Sequence, residues 1–389
     1  MRRVRLGELI SKAKVERCGD RDFPVLSMTM HDGIVRQTDR FKKAIASKDV
    51  SLYKVVRPNQ LVVGFPIDEG VIYVQGYDCP GIMSPAYNVW DIDSDRIVPA
   101  YLELALHSPR SMAYYAERMR GTTARRRSIT SENLTAMQVP LPSLDEQLNV
   151  ISTLGSVEKL ASDCSRTLSL LDDLVKSRFV EMFGDPCDPL TRYPKAKIGE
   201  LARVSSGATP SRKHPEYYEG TIPWVKTGEV ASGNIIETEE HITEEALQET
   251  SCRILGVGTV LVAMYGQGDT RGRAALLTIE AATNQACAAL EFGNQIDSQF
   301  ALAYLQHSYQ DLRELSYGGN QKNLSLRVLK EYPMMVPPLS LQKEFAAFAA
   351  EVAKSQFVGR AVRDVLYCYV RETSSTAERE DLRASLQTD

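Results

Sequence analysis

The sequence has few of the residues that hold metals or form covalent cross-links. Its 7 cysteines and 5 histidines are scattered through 389 residues, and they form no Cys-x-x-Cys or His-Glu-x-x-His motif. Zinc sites and redox motifs need such close spacing. An odd number of scattered cysteines also argues against a disulfide framework. We therefore expect the cysteines to be small apolar core residues, and we expect no metal site.

Long apolar runs are also missing. No stretch approaches the ~20 consecutive apolar residues that a membrane helix needs, and residues 1–5 (Met-Arg-Arg-Val-Arg) lack the apolar core of a signal peptide. The composition, 43% hydrophobic and 25% charged, is that of an ordinary globular protein with enough length for two domains. We expect a cytoplasmic protein that does not enter a membrane.

Motifs for catalysis are absent as well. We find no Walker lysine loop, no Gly-x-Ser-x-Gly and no Asn-Pro-Pro-Tyr tetrad in the sequence. Residues 266–272 (Gly-Gln-Gly-Asp-Thr-Arg-Gly) weakly resemble a nucleotide-binding loop, but their third glycine comes one residue late. An enzyme of unknown type is therefore an alternative that depends on this loop alone, and we predict a non-catalytic binding protein.

The sequence does contain an internal repeat. Residues 137–147 (MQVPLPSLDEQ) resemble residues 334–344 (MMVPPLSLQKE) at a shift of 197 residues, which aligns Val139 with Val336. Weaker matches upstream occur in the same order in both halves. A period of this length is that of a whole domain with its connector. We predict that one ancestral unit was duplicated, giving a pseudo-twofold internal repeat.

Each copy has the pattern of an α+β domain. Short runs rich in β-branched residues, such as residues 71–74 and 259–265, alternate with turn signals. A stretch with helical periodicity follows in each copy, at residues 97–120 and 298–316. We predict two related globular domains, at residues 1–142 and 191–339.

A long helix is predicted in the connector at residues 143–190. Residues 143–146 (Ser-Leu-Asp-Glu) form a capping box, which satisfies free amides at a helix start. Apolar residues then recur every seven positions in two columns, which are Val150, Val157, Cys164 and Leu171, and Leu154, Ala161, Leu168 and Val175. Such a pattern is typical of a helix that packs along another helix. Gly184 and Pro186 should end it.

A second long helix with a polar tail is predicted at residues 340–389. Its columns are Leu341, Phe348, Ser355, Val362 and Tyr369, and Phe345, Val352, Gly359 and Leu366. Two heptad helices in one chain most simply pack on each other as an antiparallel coiled coil. The alternative is that they are ordinary core helices of separate domains.

Charge is distributed unevenly. The net charge is −4 overall, +5 over residues 1–142, −5 over residues 143–190 and −3 over residues 191–340. Cations bind phosphates, and arginine and amide side chains can reach base edges, so both types are candidates for contact with nucleic acid. The candidates are Arg125, Arg126 and Arg127, the matching loop residues Asn320, Gln321 and Lys322, and also Ser211, Arg212, Lys213, Trp224, Lys226, Gln267 and Arg271.

Over essentially its whole length the chain resembles the specificity subunit of type I restriction-modification systems. The resemblance is carried by the two Val-Pro-x-x-Ser-Leu helix openings and by residues 171–186 (LDDLVKSRFVEMFGDP). In the second copy it is carried by residues 206–211 (SGATPS), 222–225 (IPWV) and 283–286 (TNQA). It implies two target-recognition domains that each read half of a split DNA sequence, separated by the antiparallel helix pair.

The resemblance also implies partners. Two modification (methyltransferase) subunits would bind S-adenosylmethionine and methylate adenine, and restriction (nuclease-translocase) subunits would join them. This chain would bind double-stranded DNA, hold no cofactor and contribute no catalytic residue. A helix over residues 143–180 would measure ~57 Å, more than one ~34 Å turn of duplex between half-site centres.

Two further alternatives remain open. The chain could be a specificity-like protein of another phage-defence system, with the same fold and different partners. It could also be an interaction scaffold that uses the coiled coil as a spacer between protein-binding domains.

Overall fold

The computed structural model describes residues 2–30, 32–40, 49–123, 127–188, 190–266, 268–315 and 323–376. The chain divides into two compact units, of which unit 1 comprises Met1–Cys164 with Ala361–Asp389 and unit 2 comprises Ser165–Arg360. Among the helices in these described ranges, none combines the length and apolar composition needed to cross a bilayer.

Unit 1 contains short strands and helices that lead to a long helix. The strands are β1 (Arg3–Arg5), β2 (Ile10–Lys12), β3 (Leu26–Met28), β4 (Ile34–Arg36), β5 (Lys54–Val56), β6 (Leu61–Val63), β7 (Ile72–Val74), β8 (Gly81–Met83), β9 (Asn88–Ile92) and β10 (Gln138–Pro140). The helices are α1 (Gln37–Arg40), α2 (Pro99–Leu106), α3 (Pro109–Arg118), α4 (Ser131–Ala136) and the long α5 (Leu144–Phe183), which continues into unit 2.

An antiparallel sheet in the order β2-β9-β6-β7 forms the centre of unit 1. All three residues of β6 are buried, as expected for an apolar run that is covered on both faces. Trp90 in β9 and Tyr115 in α3 belong to the same core, which also includes residues of α2 and α4. β1 pairs with β10, so the start of the unit is bound to the strand that precedes α5.

Unit 2 repeats this arrangement. Its strands are β11 (Lys195–Lys197), β12 (Ala202–Ser206), β13 (Ile222–Val225), β14 (Asn234–Ile235), β15 (Glu240–Ile242), β16 (Val260–Ala263), β17 (Ala274–Leu277), β18 (Ala282–Thr283), β19 (Cys287–Phe292) and β20 (Pro333–Met335). Its helices are α6 (Ile198–Leu201), α7 (Glu244–Glu249), α8 (Ser298–His307), α9 (Tyr309–Leu315), α10 (Leu326–Glu331) and the long α11 (Leu339–Thr376), which continues into unit 1.

The sheets confirm the predicted α+β duplication. The main sheet of unit 2 has the order β12-β19-β16-β17-β14, and its first four strands match the order of the sheet in unit 1. β11 pairs with β20 as β1 pairs with β10. Unit 2 adds a small sheet in the order β15-β13-β18.

The register of the repeat differs from the predicted shift of 197 residues. Equivalent elements of the two halves begin 195 residues apart. These elements are α4 and α10, β10 and β20, and α5 and α11. Val139 is therefore equivalent to Met334, and both side chains are fully buried. The pairing of β10 with β1 and of β20 with β11 sets this register. The similarity of the two Val-Pro dipeptides, at residues 139–140 and 336–337, reflects local composition.

α5 begins with the predicted capping box. The Ser143 amide donates to Glu146 Oε2 (2.8 Å), and Ser143 Oγ accepts from the Glu146 amide (3.4 Å). Along the helix, Leu154, Ala161 and Leu168 are buried and Val157, Cys164, Leu171 and Val175 are half-buried. Val150 is exposed, contrary to the heptad pattern, because Ile151 and Gln147 of the same turns pack into unit 1 instead.

In α11 one of the two predicted columns shifts. Phe345 and Val352 are buried, and Phe348, Gly359 and Leu366 are half-buried. Val362 is 45% exposed, and the next residue, Arg363, is half-buried instead. In the same way Ser355 is exposed and Gln356 is half-buried. An α-helix has 3.6 residues per turn, so a column with a strict repeat of seven drifts around the helix.

Within unit 2 the two long helices pack in antiparallel order, as predicted. Phe179 contacts Phe345 with ring centroids 5.4 Å apart, and Gln356 Nε2 donates to Asp172 Oδ1 (2.7 Å). Gly359 lies beside Leu168, since a Cβ atom at Gly359 would be 3.1 Å from Leu168 Cδ2. Residue numbers thus fall along α5 as they rise along α11.

Substitutions of Gly155 and Gly359 in these helices should have opposite effects on stability. A Cβ atom at Gly155 would meet no atom within 4 Å, so Gly155→Ala should raise the free energy of unfolding of unit 1 by about 0.5–1 kcal/mol. Gly359→Leu should lower that of unit 2 by about 1–3 kcal/mol, because the side chain would be forced against Leu168.

Urea unfolding followed by tryptophan fluorescence measures both effects, because the chain has 2 tryptophans, Trp90 in unit 1 and Trp224 in unit 2. Replacing one of them with phenylalanine leaves the other as the only reporter. An unchanged stability of Gly359→Leu would contradict the close helix packing.

Candidate functional site

The loop that follows β12 in unit 2 is held by contacts to three other segments. Gly207 permits the closest of them, because a Cβ atom there would lie 1.8 Å from the carbonyl oxygen of Thr283. The Ala208 amide donates to that oxygen (3.0 Å), and Ala208 O accepts from Trp224 Nε1 (3.2 Å) and Cys252 Sγ (3.1 Å). The loop is therefore fixed before any ligand binds.

Trp224, a predicted contact residue, lies in the core instead. It is 2% exposed and packs edge-on against Tyr218 with ring centroids 5.7 Å apart. The alternation of β13 directs this side chain into a small cluster with Tyr217, Ile242 and Ala246. The expectation of a direct contact by Trp224 is therefore corrected: the ring forms part of the support beneath the loop.

Arg212 lies on this support. Its guanidinium carbon is 3.9 Å from the centre of the Tyr218 ring and 5.6 Å from that of Trp224, and Tyr218 is itself fixed by a hydrogen bond to Pro210 O (2.6 Å). Arg212 Nη2 also pairs with Glu240 Oε2 (2.8 Å), and its side chain remains 56% exposed. The guanidinium is thus oriented and still accessible to a ligand.

Lys226 lies next to this pair and shares its carboxylate. Its Nζ is 2.5 Å from Glu239 Oε2 and 3.3 Å from Glu240 Oε1. The hydrogen bond to Glu239, followed by the contacts with Glu240, raises the pKa of Lys226. Burial acts to raise the pKa of Glu240, but its contacts with Arg212 and Lys226 outweigh burial and lower it. Arg212 and Lys226 therefore form a cluster of ion pairs with Glu239 and Glu240.

The lowered pKa of Glu240 predicts a pH effect on stability. A carboxyl group whose pKa is lower in the folded state contributes stability above its unfolded pKa of about 4.3 and loses it as the pH falls through the folded pKa. Acidification below about pH 4.5 should therefore destabilise unit 2 of the wild type more steeply than unit 2 of Glu240→Gln.

Urea unfolding at a series of pH values, with Trp224 as the reporter, tests this effect. Glu237→Gln replaces an exposed carboxylate close to Glu240 and serves as the control, whose curve should follow that of the wild type. Parallel curves for the wild type and Glu240→Gln would contradict the ion-pair arrangement.

Ser211 and Lys213, which flank Arg212, are exposed. Ser211 Oγ accepts from the Lys213 amide (3.3 Å), so the local turn is closed while the lysine side chain extends from the surface. The structure thus brings Ser211, Arg212, Lys213 and Lys226 into one region above Trp224, as a set of neighbouring polar side chains.

Two exposed residues of this region, Thr209 and Gln285, were not among the contact residues predicted from the sequence. The Thr209 hydroxyl donates to the side-chain oxygen of Gln285, which lies in the loop between β18 and β19. That loop is held by Asn284, whose Oδ1 accepts from the Ala286 amide and from the Thr227 hydroxyl, both at 3.0 Å. The Gln285 side chain could have been predicted as a contact from its residue type, because glutamine can pair with a base edge.

The glycine loop at residues 266–272 connects β16 to β17, which are antiparallel neighbours. A dinucleotide-binding loop joins a strand to a helix whose N-terminus receives the phosphates, so this loop does not support an enzyme. It is anchored by Arg313, which donates to Gly268 O (3.0 Å), and by Tyr309, which donates to Asp269 O (2.7 Å).

Of the predicted contact residues near this hairpin, Arg271 is buried at 7% exposure and Gln267 lies outside the described residues. Asn320, Gln321 and Lys322 also lie outside them. The Leu324 amide, just after that segment, donates to Met264 O (3.1 Å). Leu324 is therefore held next to the end of β16.

In unit 1, Arg127 anchors its loop. Its guanidinium pairs with Asp68 (2.5 Å) and with Glu69, and its carbonyl oxygen accepts from the Ile67 amide (2.9 Å). The side chain is 22% exposed and makes internal ion pairs, and its contact with a phosphate stays a prediction. Arg125 and Arg126 lie outside the described residues.

Comparison with known proteins identifies relatives of the chain. Residues 193–354 match the family model described as "Type I restriction modification DNA specificity domain". The chain is 29% identical over 160 residues to the type I restriction enzyme MjaIX specificity subunit of Methanocaldococcus jannaschii, a match that covers 39% of this chain and 35% of that protein. A second protein of that organism, the putative type I restriction enzyme MjaX specificity subunit, is 21% identical over 278 residues (65% of this chain, 61% of that protein).

The matches thus span 35% and 61% of the length of these two curated relatives. A chain solved in a study of "complex assembly and conformational transition of the type I R-M system" shares the fold, with a TM-score of 0.60 and 16% identity over 97% of both chains.

Proposed function

Because residues 193–354 match the family model of a type I restriction modification DNA specificity domain and the chain resembles specificity subunits, we propose that it is the DNA-recognition subunit of a type I restriction-modification system. It binds a bipartite double-stranded target, one half-site through residues 1–142 and the other through residues 191–339. It then directs modification and restriction subunits to that target. Catalysis belongs to those partners and not to this chain.

One observation carries the proposal. The family model for a DNA specificity domain covers the part of unit 2 that holds Arg212, Lys213 and Gln285. These exposed side chains are of the types that pair with phosphates and base edges, and they extend from loops that the core fixes in place. The equivalent sheet in unit 1 supplies the scaffold for a second reader.

The partners follow from the family and from the repeat. We propose that two modification subunits bind the chain, since two similar halves can present similar surfaces to two identical partners. Each would hold S-adenosylmethionine and methylate an adenine flipped out of the duplex. Restriction subunits would complete the complex in the cytoplasm, where it meets DNA.

The segments at residues 143–190 and 340–389 would act as the spacer between the two readers. α5 has 40 residues and hence a length of about 60 Å. Two weak half-site contacts joined by a stiff spacer bind together more tightly than either does alone, because the second contact becomes intramolecular. A fixed gap between the half-sites should follow.

Selection from random DNA tests the proposal. The chain is co-expressed with a candidate type I modification subunit from the same host, and the purified complex selects duplexes from a random library. We expect two short sequences separated by a gap of constant length. Selection of one uninterrupted sequence would contradict two readers, and the absence of any enriched sequence would favour the protein-binding scaffold.

A further inference from the structure

The geometry points to guanine as a base that unit 2 reads, with Arg212 as the residue that contacts it and Glu240 as the residue that positions Arg212. This inference rests on the proposed function and adds the chemical identity of one base in the target. In the major groove guanine presents two acceptors, O6 and N7, which match the forked donors of a guanidinium.

Two contacts orient the Arg212 guanidinium, as a residue that reads a base requires. Its guanidinium lies 3.9 Å from the Tyr218 ring centre, and Glu240 binds one of its nitrogens at 2.8 Å. Two contacts from different directions restrict a long side chain that would otherwise lose conformational freedom on binding. Its 56% exposure leaves it accessible to a ligand.

The charge around Arg212 favours a base over a phosphate. Arg212 and Lys226 both contact Glu240, and Lys226 also contacts Glu239. A third carboxylate, Glu229, accepts from the Lys226 and Glu239 amides beside them, so the cluster has no surplus positive charge. Phosphate binding depends on uncompensated cations that release counterions. Such a cluster gains little from a phosphate, but Arg212 can still donate two directed hydrogen bonds to a base edge.

The test uses the full chain in complex with its modification subunits and compares variants by selection from random duplexes. Wild type should require guanine at one half-site position, and Arg212→Ala should reduce the preference for guanine there about tenfold or more while leaving the other positions unchanged. Arg212→Lys should lose most of the same preference, because an ammonium group keeps the charge but lacks the fork.

Lys213→Ala is the matched control. Lys213 is the next residue and is also exposed, and we assign it to the phosphate backbone. Its loss should weaken binding to all sequences by a similar factor and should reduce the dependence of log affinity on log salt by about 1.

Glu240→Gln tests the positioning role separately. Without this carboxylate the preference for guanine should fall, while binding to unrelated DNA should become more salt-dependent because Arg212 and Lys226 lose a shared counter-charge. Glu239→Gln removes a partner of Lys226 only, so it should increase the salt dependence and leave the preference for guanine intact.

Three outcomes decide the inference. A preference for guanine that persists in both Arg212 variants overturns it. A uniform loss of affinity for all sequences in Arg212→Ala also overturns it, because that result identifies a phosphate contact. If Arg212→Ala does not fold, Arg212→Lys gives the answer, since it retains the charge beside Glu240. A wild-type complex that selects no split sequence refutes the proposed function itself.

Discussion

Replacing Phe179 with alanine should lower the free energy of unfolding of unit 2 by about 3–5 kcal/mol. Phe179 is fully buried near the end of α5. Its ring stacks on Phe300 at 5.6 Å and on His307 at 4.6 Å, and it meets Phe345 of α11 edge-on at 5.4 Å. An alanine there would remove these contacts and leave a cavity between α5, α8 and α11.

Urea unfolding in the Trp90→Phe background measures this change, because Trp224 then reports on unit 2 alone. Val180→Ala is the control, since Val180 is the next residue of the same helix and is 43% exposed. It should shift stability by no more than about 0.5 kcal/mol. Equal effects of the two substitutions would contradict the assignment of Phe179 to the core of unit 2.

Replacing Gln147 in one half or Gln342 in the other with leucine is expected to destabilise that half alone. Gln342 Nε2 donates to Gln295 O (3.0 Å) and Pro337 O (2.7 Å), and its Oε1 accepts from the Asp297 amide (2.8 Å). The side chain thus binds the start of α11 to the loop before α8. Gln147 has the same role at the start of α5.

The match between the two glutamines is close. Gln147 Nε2 donates to Arg96 O (3.2 Å) and Pro142 O (3.0 Å), and its Oε1 accepts from the Val98 amide (2.8 Å). Leucine fills the space but leaves these backbone groups unpaired, which costs about 2–4 kcal/mol in total. Both glutamines are 0% exposed, so water reaches neither side chain to replace the lost hydrogen bonds.

Each tryptophan reports one of the two effects. Gln342→Leu should shift the unfolding transition seen by Trp224, and Gln147→Leu that seen by Trp90. Gln310→Leu, at an exposed position of α9, is the control and should change stability by less than about 0.5 kcal/mol. If Gln147→Leu shifts both transitions equally, the two glutamines do not act within separate halves.

Features encoded by local periodicity could be predicted from the sequence. The α+β alternation and the position of each long helix depend on short patterns, such as the capping box at Ser143 and the spacing of Leu154, Ala161 and Leu168. Neighbouring residues largely determine these features, so the structure agrees with them even where single heptad positions shift.

Features that depend on partners far along the chain could not be predicted. The acidic partners of Arg127 precede it by almost sixty residues, and Gln285 meets Thr209 across a comparable gap. Tertiary packing also decides that Trp224 is buried beneath Arg212. The repeat register of 195 residues required the strand pairs β1-β10 and β11-β20, which no local similarity reveals.

The central claim is that this chain selects a split DNA sequence for modification. The measurement maps N6-methyladenine across the host genome in the parent strain and in a strain that lacks only this gene, with every other gene left intact. We expect a bipartite motif with a constant gap to be methylated in the parent and unmethylated in the deletion strain. An identical methylation map in both strains would contradict it.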